Sequence, residues 1–513
     1  MKRMILVWVM VLCLVPLCAW AEEETTPALY PIRENGLWGY MNRAEEVVIE
    51  PQWATVWPFD GDTALVSTLP VSRDSNGNGV IDRSGQYLIA PQDHVTIEDY
   101  PHAYRIRFYD TSQGYSVSYE GFYDKASGFY QPPIPEYAFV MLWGDDGSGP
   151  IAIENADGLT GYVDRTSGET VIPFCYTGQS EYAAFNEGYA LAANLNWLDE
   201  NGMWHEVLPD SEPIPDNDEI WGEGWRYYLI DTAGQAVRFP EDMEPYTGVR
   251  EGVLVIHPDP SIQWEMQEDP EENTEAETSD SYIFDRFGIA RPDGTVILEP
   301  QPLYYLWEPD SEGMLCYVDS SKFDCGHMNR SGEVIVSARY SIDAGGAMPY
   351  YAFVNGYAVI DDIGDNWPNT ERWVILDTAG NEVFTRPAED EDGSAFRICG
   401  DIVLENGLFW CEEANGYSLM RLTDHGAEKV SDMVFEASLG CGHYEFGEGI
   451  KFCEGLHPVN QDGLWGYIDE QAEWVIQPQY SRADNFSDGL ALVEKDGKLK
   501  YIDHSGAVVW EER

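Results

Sequence analysis

One short stretch of the chain has the spacing of oxygen ligands in a calcium-binding loop. In DSNGNGVIDRSG, Asp74, Asn76 and Asn78 occupy the first, third and fifth positions, and Asp82 occupies the ninth. Calcium takes carboxylate and amide oxygens at this spacing, but the twelfth position, usually a bidentate glutamate, is Gly85. The stretch is a candidate calcium site with an incomplete ligand set, and it equally fits a tight turn between two strands.

The cysteines offer a second kind of chemistry. Seven of them follow the apolar N-terminal segment, an odd number, so they cannot all be paired within one chain. In LCYVDSSKFDCG, a two-residue turn at Ser320 and Ser321 would place Cys316 opposite Cys325, and we expect these two to be cross-strand neighbours. Whether a disulfide joins them stays open. A Cys-Gly-His triplet occurs twice, but without C-x-x-C spacing, so zinc is not indicated.

No catalytic pattern is recognisable. The chain has no nucleophile elbow, no H-E-x-x-H, no phosphate loop and no dinucleotide fingerprint. Carboxylates are so abundant that a glycosidase pair cannot be chosen from sequence. We therefore predict a non-enzymatic protein with no catalytic or cofactor-binding residues, apart from the candidate calcium loop.

The charge balance limits the classes of partner. The 513 residues contain 29 Lys and Arg against 91 Asp and Glu, a net charge of -62. Such a surface repels nucleic acid and anionic lipid, so we exclude both as partners. The composition is nevertheless that of a folded protein, because 44% of the residues are hydrophobic and 13% are aromatic.

The N-terminus has the pattern of a secretory signal peptide. Lys2 and Arg3 precede an apolar run over residues 4–17, and Ala-Trp-Ala follows at 19–21. We expect residues 1–21 to be removed on export, which makes the protein secreted or attached to the cell surface and leaves no transmembrane segment in the mature chain. Lipidation at Cys18 is an alternative. Cleavage removes two positive charges and changes the net charge to about -64.

The elements that would position any site come from an internal repeat. An apolar pair, then Asp or Asn, two variable residues, Gly and a second apolar pair recur about eleven times, typically about 40 residues apart. Clear copies are GYMNRAEEVVIEP at Gly39, GVIDRSGQYLIAP at Gly79, GYVDRTSGETVIP at Gly161, GHMNRSGEVIV at Gly326 and GYIDEQAEWVIQP at Gly466. A phrase such as FSDGLALV follows most copies, so each unit offers three β-runs.

The repeat has a local physical explanation. In YIDHSGAVV, Asp503 suits the first position of a turn because its carboxylate accepts a bond from the backbone two residues on, and Gly506 suits a positive φ. The flanking runs alternate apolar and polar residues, as half-buried strands do. We expect a proline after the second run to end strand pairing. These prolines are Pro51, Pro91, Pro173, Pro300 and Pro478.

A Trp-Gly pair stands near each end of the chain, at Trp38-Gly39 and at Trp465-Gly466. We expect the tryptophans to pack between neighbouring units and the glycines to admit a second backbone close by. With Tyr-Ile-Asp and Val-Ile-x-Pro, these pairs resemble the WG-repeat proteins of bacteria. The match is tight over residues 36–65 and 463–492 and loose between them. The resemblance implies tandem β-hairpin units and specifies no activity.

These observations predict an all-β fold: a tandem array of about eleven three-stranded meander or hairpin repeats, arranged as a solenoid or a propeller. We expect a first array over residues 22–260, an acidic flexible linker over 261–282 and a second array over 283–513. A long insertion, residues 196–225, carries four tryptophans and departs most from the repeat, so a ligand surface is first expected there.

We expect an exported scaffold that binds another protein. The alternative is a carbohydrate or cell-wall binding module that stacks sugars on surface aromatic rings. The direction in which the tryptophans point separates these hypotheses. A row of solvent-facing rings at the repeat spacing favours a cell-surface glycan, and buried rings favour a protein partner.

Overall fold

The computed structural model describes the following parts of the chain. They are residues 27–70, 77–110, 117–177, 182–199, 204–208, 220–240, 242–258, 286–319, 324–341, 351–363, 371–389, 396–399, 407–413, 415–423, 425–438 and 452–513. All the regular elements there are β-strands, which confirms the all-β prediction. In the same ranges no helix is long and apolar enough to cross a membrane. The predicted signal peptide lies outside them.

The strands fall into modules, each a run of neighbouring strands in one sheet. Module 1 consists of β1 (Leu29–Glu34), β2 (Leu37–Asn42) and β3 (Val47–Trp53). Module 2 consists of β4 (Thr55–Val56), β5 (Thr63–Ser67), β6 (Asn78–Asp82) and β7 (Tyr87–Ile89). Module 3 consists of β8 (Val95–Asp99), β9 (Ala103–Asp110), β10 (Val117–Asp124) and β11 (Tyr130–Ile134). Modules 4 and 5 are β12 (Tyr137–Met141), β13 (Ile151–Asn155), β14 (Thr160–Val163) and β15 (Thr170–Tyr176); and β16 (Tyr189–Asp199), β17 (Trp204–Glu206) and β18 (Ile220–Asp231).

Modules 6 and 7 share one long strand, β22. They are β19 (Met243–Pro245), β20 (Leu254–Pro258), β21 (Arg286–Ala290) and β22 (Val296–Leu306); and β22 with β23 (Met314–Asp319), β24 (Asp324–Asn329) and β25 (Val334–Ser341). Modules 8 and 9 are β26 (Tyr357–Asp362), β27 (Arg372–Asp377) and β28 (Glu382–Pro387); and β29 (Phe396–Cys399), β30 (Leu408–Glu413), β31 (Gly416–Thr423) and β32 (Gly426–Lys429). Modules 10 and 11 are β33 (Ala437–Ser438), β34 (His457–Gln461), β35 (Leu464–Ile468) and β36 (Trp474–Tyr480); and β37 (Arg482–Ala483), β38 (Ala491–Lys495), β39 (Lys498–Ile502) and β40 (Val508–Glu511).

Each module is an antiparallel meander in which consecutive strands pair, except that module 5 has the order β17-β16-β18. The shared strand β22 joins modules 6 and 7 into one seven-stranded sheet. Strand β20 pairs with β21 although residues 259–285, which contain the predicted acidic linker, separate them. The predicted boundary between two arrays therefore falls inside one sheet, and the character of residues 261–282 stays a prediction, since they lie outside the described ranges.

The sheets pack face to face along the chain. Among the described residues, the buried apolar side chains form eleven clusters, and each cluster joins one module to the next. In the cluster between modules 1 and 2, for example, Tyr40, Ile49 and Trp53 of one sheet pack on Val66 and Ile81 of the other. A small sheet exposes two faces, so each module depends on both neighbours for a core.

The last module packs against the first, which closes the array into a ring. Tyr30 and Ile32 of β1 share a buried cluster with Tyr501 and Trp510 of module 11. The rings of Tyr30 and Tyr501 are 5.4 Å apart and edge-on. Beside them, Arg33 donates two hydrogen bonds, of 2.7 and 2.9 Å, to the carboxylate of Glu512. Of the two predicted arrangements, these contacts favour the closed, propeller-like one over an open solenoid.

The contact between the last and first modules uses the same hydrogen bond as two other intermodule contacts. The tyrosine that follows the Trp-Gly pair donates its hydroxyl to a backbone carbonyl of the next module: Tyr40 to Trp57 and Tyr467 to Asp484, both at 2.7 Å. Tyr501, at the same position of the last repeat, donates to Pro31 in module 1 at 3.0 Å. The contact that closes the ring therefore repeats the bond found after each of the two Trp-Gly pairs.

The glycine of the Trp-Gly pair lies opposite a bulge. Tyr467 pairs with Ile476 and Trp465 with Tyr480, so three residues of β36 face the single Gly466. A Cβ on Gly466 would lie 2.5 Å from the carbonyl oxygen of Ile476. The predicted close approach of a second backbone is therefore correct.

Pro91 follows the end of β7 at Ile89, as predicted, but the role predicted for the other four prolines was wrong. Pro51 and Pro478 lie at these bulges inside β3 and β36, and strand pairing resumes beyond them, at Trp53 and Tyr480. The bulge leaves the residue at its centre without a ladder bond, so a proline is accommodated there without ending the strand.

Removing the tyrosine hydroxyl tests ring closure. We expect Tyr501→Phe to lower the free energy of unfolding by about 1 kcal/mol, as Tyr40→Phe and Tyr467→Phe should, because each loses one partly buried hydrogen bond. Tyr162→Phe is the control, since its buried hydroxyl has no partner among the described residues, and it should be neutral or stabilising. Urea unfolding measures all four; a Tyr501→Phe that behaves like Tyr162→Phe contradicts closure.

A pair of glycine substitutions tests the bulge. Gly466→Ala should destabilise by about 3 kcal/mol, because the new methyl group meets the backbone of β36. Gly463→Ala, three residues earlier, has a positive φ and open space around its Cβ, so it should cost only about 1 kcal/mol. Thermal unfolding of the two variants gives the comparison, and equal losses would show that the close approach is unimportant.

Candidate functional site

The structure describes two of the four candidate calcium ligands. Asn78 begins β6 and Asp82 ends it, so they are about 13 Å apart along the strand. Asp82 Oδ1 already accepts bonds from the backbone of Ser84 and Gln86 and from the Ser84 hydroxyl. Asp74 and Asn76 lie outside the described residues. Calcium binding here stays a prediction, and Asp82 has a turn function of its own.

The other repeat aspartates have the same turn function. Asp503 Oδ1 accepts bonds from the backbone of Ser505 at 2.9 Å and of Ala507 at 3.1 Å. The bond from the Ser505 hydroxyl, together with these backbone bonds, holds the pKa of Asp503 below its usual range. Gly506 has a positive φ of 79°. This confirms the turn interpretation of the Asp column and removes these carboxylates from the list of candidate catalytic groups.

The most buried carboxylates also have structural partners. Arg165 bonds Asp124 at 2.9 Å and Asp145 at 2.7 Å, and its Nε donates to the Gly149 carbonyl. These groups link modules 3 and 4. Burial raises the pKa of Asp145, Arg165 opposes that shift, and both carboxylates are engaged in the contact between the two modules. Among the described residues, no group of three or more His, Cys, Asp or Glu has the arrangement of a metal site.

One carboxyl group in module 8, that of Asp361, has a pKa above its ordinary value. Burial, together with the neighbouring carboxylates of Glu371 and Asp362, raises the pKa of Asp361 to about 6, and Arg397 opposes the shift. Asp361 Oδ1 has no hydrogen-bond partner among the described residues. A carboxyl that titrates near 6 is a functional candidate only if it lies in a cleft, and Asp361 lies on a strand in the sheet.

The exposed aromatic rings do not form a row. Trp143 is 79% exposed, in the loop between β12 and β13, and Trp225 is exposed in β18. Trp53 and Trp410 are fully buried. Trp38 and Trp465 are half-buried at the margins of two intermodule clusters, so they pack between units as expected. Within the described ranges, solvent-facing tryptophans do not recur at the repeat spacing, which favours the protein-binding hypothesis.

A small cavity lies where modules 5, 6 and 7 meet. Its volume is about 100 Å³, and it is lined by Tyr182, Thr247, Tyr305, Leu306, Trp307 and Glu308. Ligand pockets usually measure several hundred Å³, so this cavity holds only a few atoms. Sequence reasoning missed it because its residues come from three consecutive modules and match no motif.

The long insertion is an extended hairpin in its described part. β16 pairs with β18 from Tyr189 and Asp231 out to Asp199 and Ile220, farther than in any other described module. Glu206, in β17, accepts bonds from Asn194 at 2.6 Å and Tyr228 at 2.5 Å. Residues 200–203 and 209–219 lie outside the described ranges, so the ligand surface predicted there stays a prediction.

The register of the cysteines differs from the expected one. β23 and β24 pair Cys316 with His327 and Val318 with Cys325, so the two cysteines are diagonal neighbours and not directly opposed. The prediction of direct opposition was wrong because four residues, 320–323, connect the strands instead of two. Both cysteines are free thiols.

Comparison with known proteins agrees with this architecture. The model of the WG-containing repeat family matches residues 38–68 and 465–498, which lie in the modules at the two ends of the chain. These two segments are therefore WG-containing repeats, as their motifs suggested. No curated protein matches it.

Similarity to solved structures is distant. The matches include the computationally designed Ika8 protein (12% identity, TM-score 0.24, 69% of this chain and 92% of that chain). They also include BamB from Moraxella catarrhalis (14%, 0.30, 71% and 95%) and dipeptidyl peptidase 4 from Porphyromonas gingivalis (10%, 0.38, 72% and 58%). These TM-scores are too low to support an argument about fold or function.

The perturbed carboxyl predicts a pH dependence of stability. The folded-state pKa of Asp361, about 6, is above the ordinary value of 3.8, so ionisation as pH rises from 4 through 6 destabilises the fold. Asp361→Asn should therefore stabilise at pH 8, by about 1 kcal/mol after solvent screening, and have no effect below pH 4. Asp503→Asn, a control that keeps the turn acceptor, should bring no gain at pH 8. Urea unfolding at both pH values measures the difference.

Proposed function

We propose that the chain is an exported, non-enzymatic repeat protein that binds another protein through the outer strands of its modules. The observation that carries this proposal is a column of exposed apolar side chains on those strands. β3, β7, β15, β25, β36 and β40 are each the last strand of their sheet. The exposed residues on them are Val47, Val48, Tyr87, Leu88, Val171, Val334, Val475 and Val508.

The column is a consequence of the repeat. In each of these strands one apolar residue faces the core, and one or two before it face solvent. Ile476, for example, is 3% exposed, whereas Val475 is 45% exposed. Single exposed apolar residues are common on protein surfaces and need no explanation, but recurrence at the same two adjacent repeat positions in six of the eleven modules does. Edge strands with unpaired backbone groups are also natural docking sites for another chain.

Charge indicates what kind of partner fits. Four of the exposed valines or their neighbours directly follow an acid of the repeat, namely Glu46, Glu169, Glu333 and Glu473, and the whole chain carries a net charge of -62. A partner with basic residues around apolar ones would complement these strands, whereas nucleic acid is repelled. The proposed partner is therefore a protein with a basic surface.

The polar groups support binding over catalysis. The repeat aspartates bind turn backbone, and Asp124 and Asp145 bind Arg165. The cavity where modules 5, 6 and 7 meet is too small for a typical substrate. The carbohydrate alternative has weaker support, since Trp143 and Trp225 stand singly.

A matched pair of double variants tests the proposal. Immobilised full-length protein is incubated with the secreted proteins and, separately, with purified cell wall of the source organism, with and without calcium. Val334→Thr with Val475→Thr removes two column residues; Leu69→Thr with Leu208→Thr removes two exposed apolar residues outside the column, 48% and 49% exposed. We expect the column variant to bind the retained protein about tenfold more weakly and the control to bind it normally.

Other results would contradict the proposal. Equal binding by both double variants would exclude the outer strands. Retention on cell wall, unchanged in the column variant but lost in Trp143→Ala, would support the glycan alternative. Circular dichroism and thermal unfolding of each variant establish that a loss of binding is not a loss of fold.

A further inference from the structure

The hairpin of β23 and β24 buries two thiols and an imidazole on one face. Cys316 lies directly opposite His327, and Cys325 is two residues before His327 on the same strand. Because alternate residues of a strand point to the same side, the three side chains share a face. All three are buried, at 1% exposure or less, where module 7 packs on module 8.

The two thiols are close neighbours. Cys325 is the diagonal neighbour of Cys316, and both belong to one buried cluster. Diagonal positions on paired strands have Cα atoms about 7 Å apart and Cβ atoms closer, at the edge of the range that a disulfide spans. A small adjustment of the strands would therefore bring the sulfurs into bonding distance.

The imidazole is placed to hold a thiolate. His327 Nε2 lies 2.7 Å from the carbonyl oxygen of Tyr351, and its Nδ1 has no oxygen or nitrogen partner among the described residues. The hydrogen bond from Cys325 and the adjacent His327 lower the pKa of Cys316, and the same bond raises the pKa of Cys325. Cys316 is the cysteine directly opposite the imidazole on the paired strand, so it is the one that ionises more readily.

We propose that Cys316 and Cys325 form a reversible intramolecular disulfide, with a low-molecular-weight disulfide as the oxidant. The Cys316 thiolate attacks one sulfur of the oxidant, which gives a mixed disulfide and releases one thiolate. That thiolate takes the Cys325 proton, Cys325 attacks the Cys316 sulfur, and the second thiolate leaves. The two cysteines lose two electrons in total, and the oxidant becomes two thiols.

Burial sets when the reaction occurs. The hairpin is local in sequence, so it can form before module 8 covers its face. Oxidation is then fastest during folding, and slow in the folded ring. Among the cysteines whose side chains are described, Cys175, Cys411 and Cys453 belong to modules 4, 9 and 10, so no other described pair shares a sheet face.

The test uses the full chain in two reactions. The protein is incubated with oxidised glutathione once in its folded state and once while it refolds from urea, and free thiols are then alkylated. Lys322 stands between the two cysteines, so trypsin separates them unless a disulfide joins the fragments. We expect the joined fragments in the refolded sample, lighter by two hydrogens than the separate ones, and their separation on reduction.

Substitutions assign the roles. Cys411→Ser, which changes a buried cysteine elsewhere, should leave the joined fragments unchanged. In Cys325→Ser, glutathione should remain attached to Cys316, whereas in Cys316→Ser, Cys325 should stay largely unmodified. His327 is a positioning residue, and His327→Gln should slow disulfide formation about tenfold at pH 7 and much less at pH 9, since alkaline solution ionises the thiol unaided.

The wild-type chain alone can overturn the proposal. Recovery of Cys316 and Cys325 as separate glutathione adducts or alkylated thiols, in both the folded and the refolding reactions, excludes the disulfide. Fragments that join either cysteine to Cys411 or Cys453 also exclude it. An unchanged pH profile in His327→Gln refutes the role of the imidazole.

Discussion

The constraint on which the structure depends is that a three- or four-stranded sheet has two faces and can bury neither by itself. Each module therefore takes half of its core from the module before and half from the module after. In an open row the first and last sheets would each leave one apolar face in water. Here those two faces meet, with Tyr30, Ile32, Tyr501 and Trp510 in one cluster, so the ring has no uncovered end.

A few residues of each repeat form both the turns within a module and the contacts between modules. The aspartate binds the turn, the glycine of the Trp-Gly pair admits the bulge, and the tyrosine beside it reaches the next module. The side chains of these residues are therefore already engaged in structural contacts. The proposed recognition surface is the solvent side of the outer strands, where the repeat places valines such as Val334 and Val475 beside acids.

Much of the local structure could be predicted from sequence, since a turn such as that from Asp503 to Gly506 depends only on nearby residues. Predictions failed where they depended on the number of residues in a bulge or a loop, which the sequence does not reveal. The bulge at Pro478 adds residues without ending the strand, and a loop of four residues instead of two shifts Cys325 away from direct opposition to Cys316. The small cavity was beyond prediction, because Tyr182, Thr247 and Trp307 meet only after the modules stack.

Because the first and last modules are in contact, the ring does not depend on the position in the sequence at which the chain starts. Because β1 and β40 belong to adjacent modules, a short peptide joining the two ends would disturb no core contact. The backbone then needs an opening elsewhere, and the connection between β20 and β21, which already spans residues 259–285, offers one. A circularly permuted gene that starts at β21 and finishes at β20 would encode the same ring.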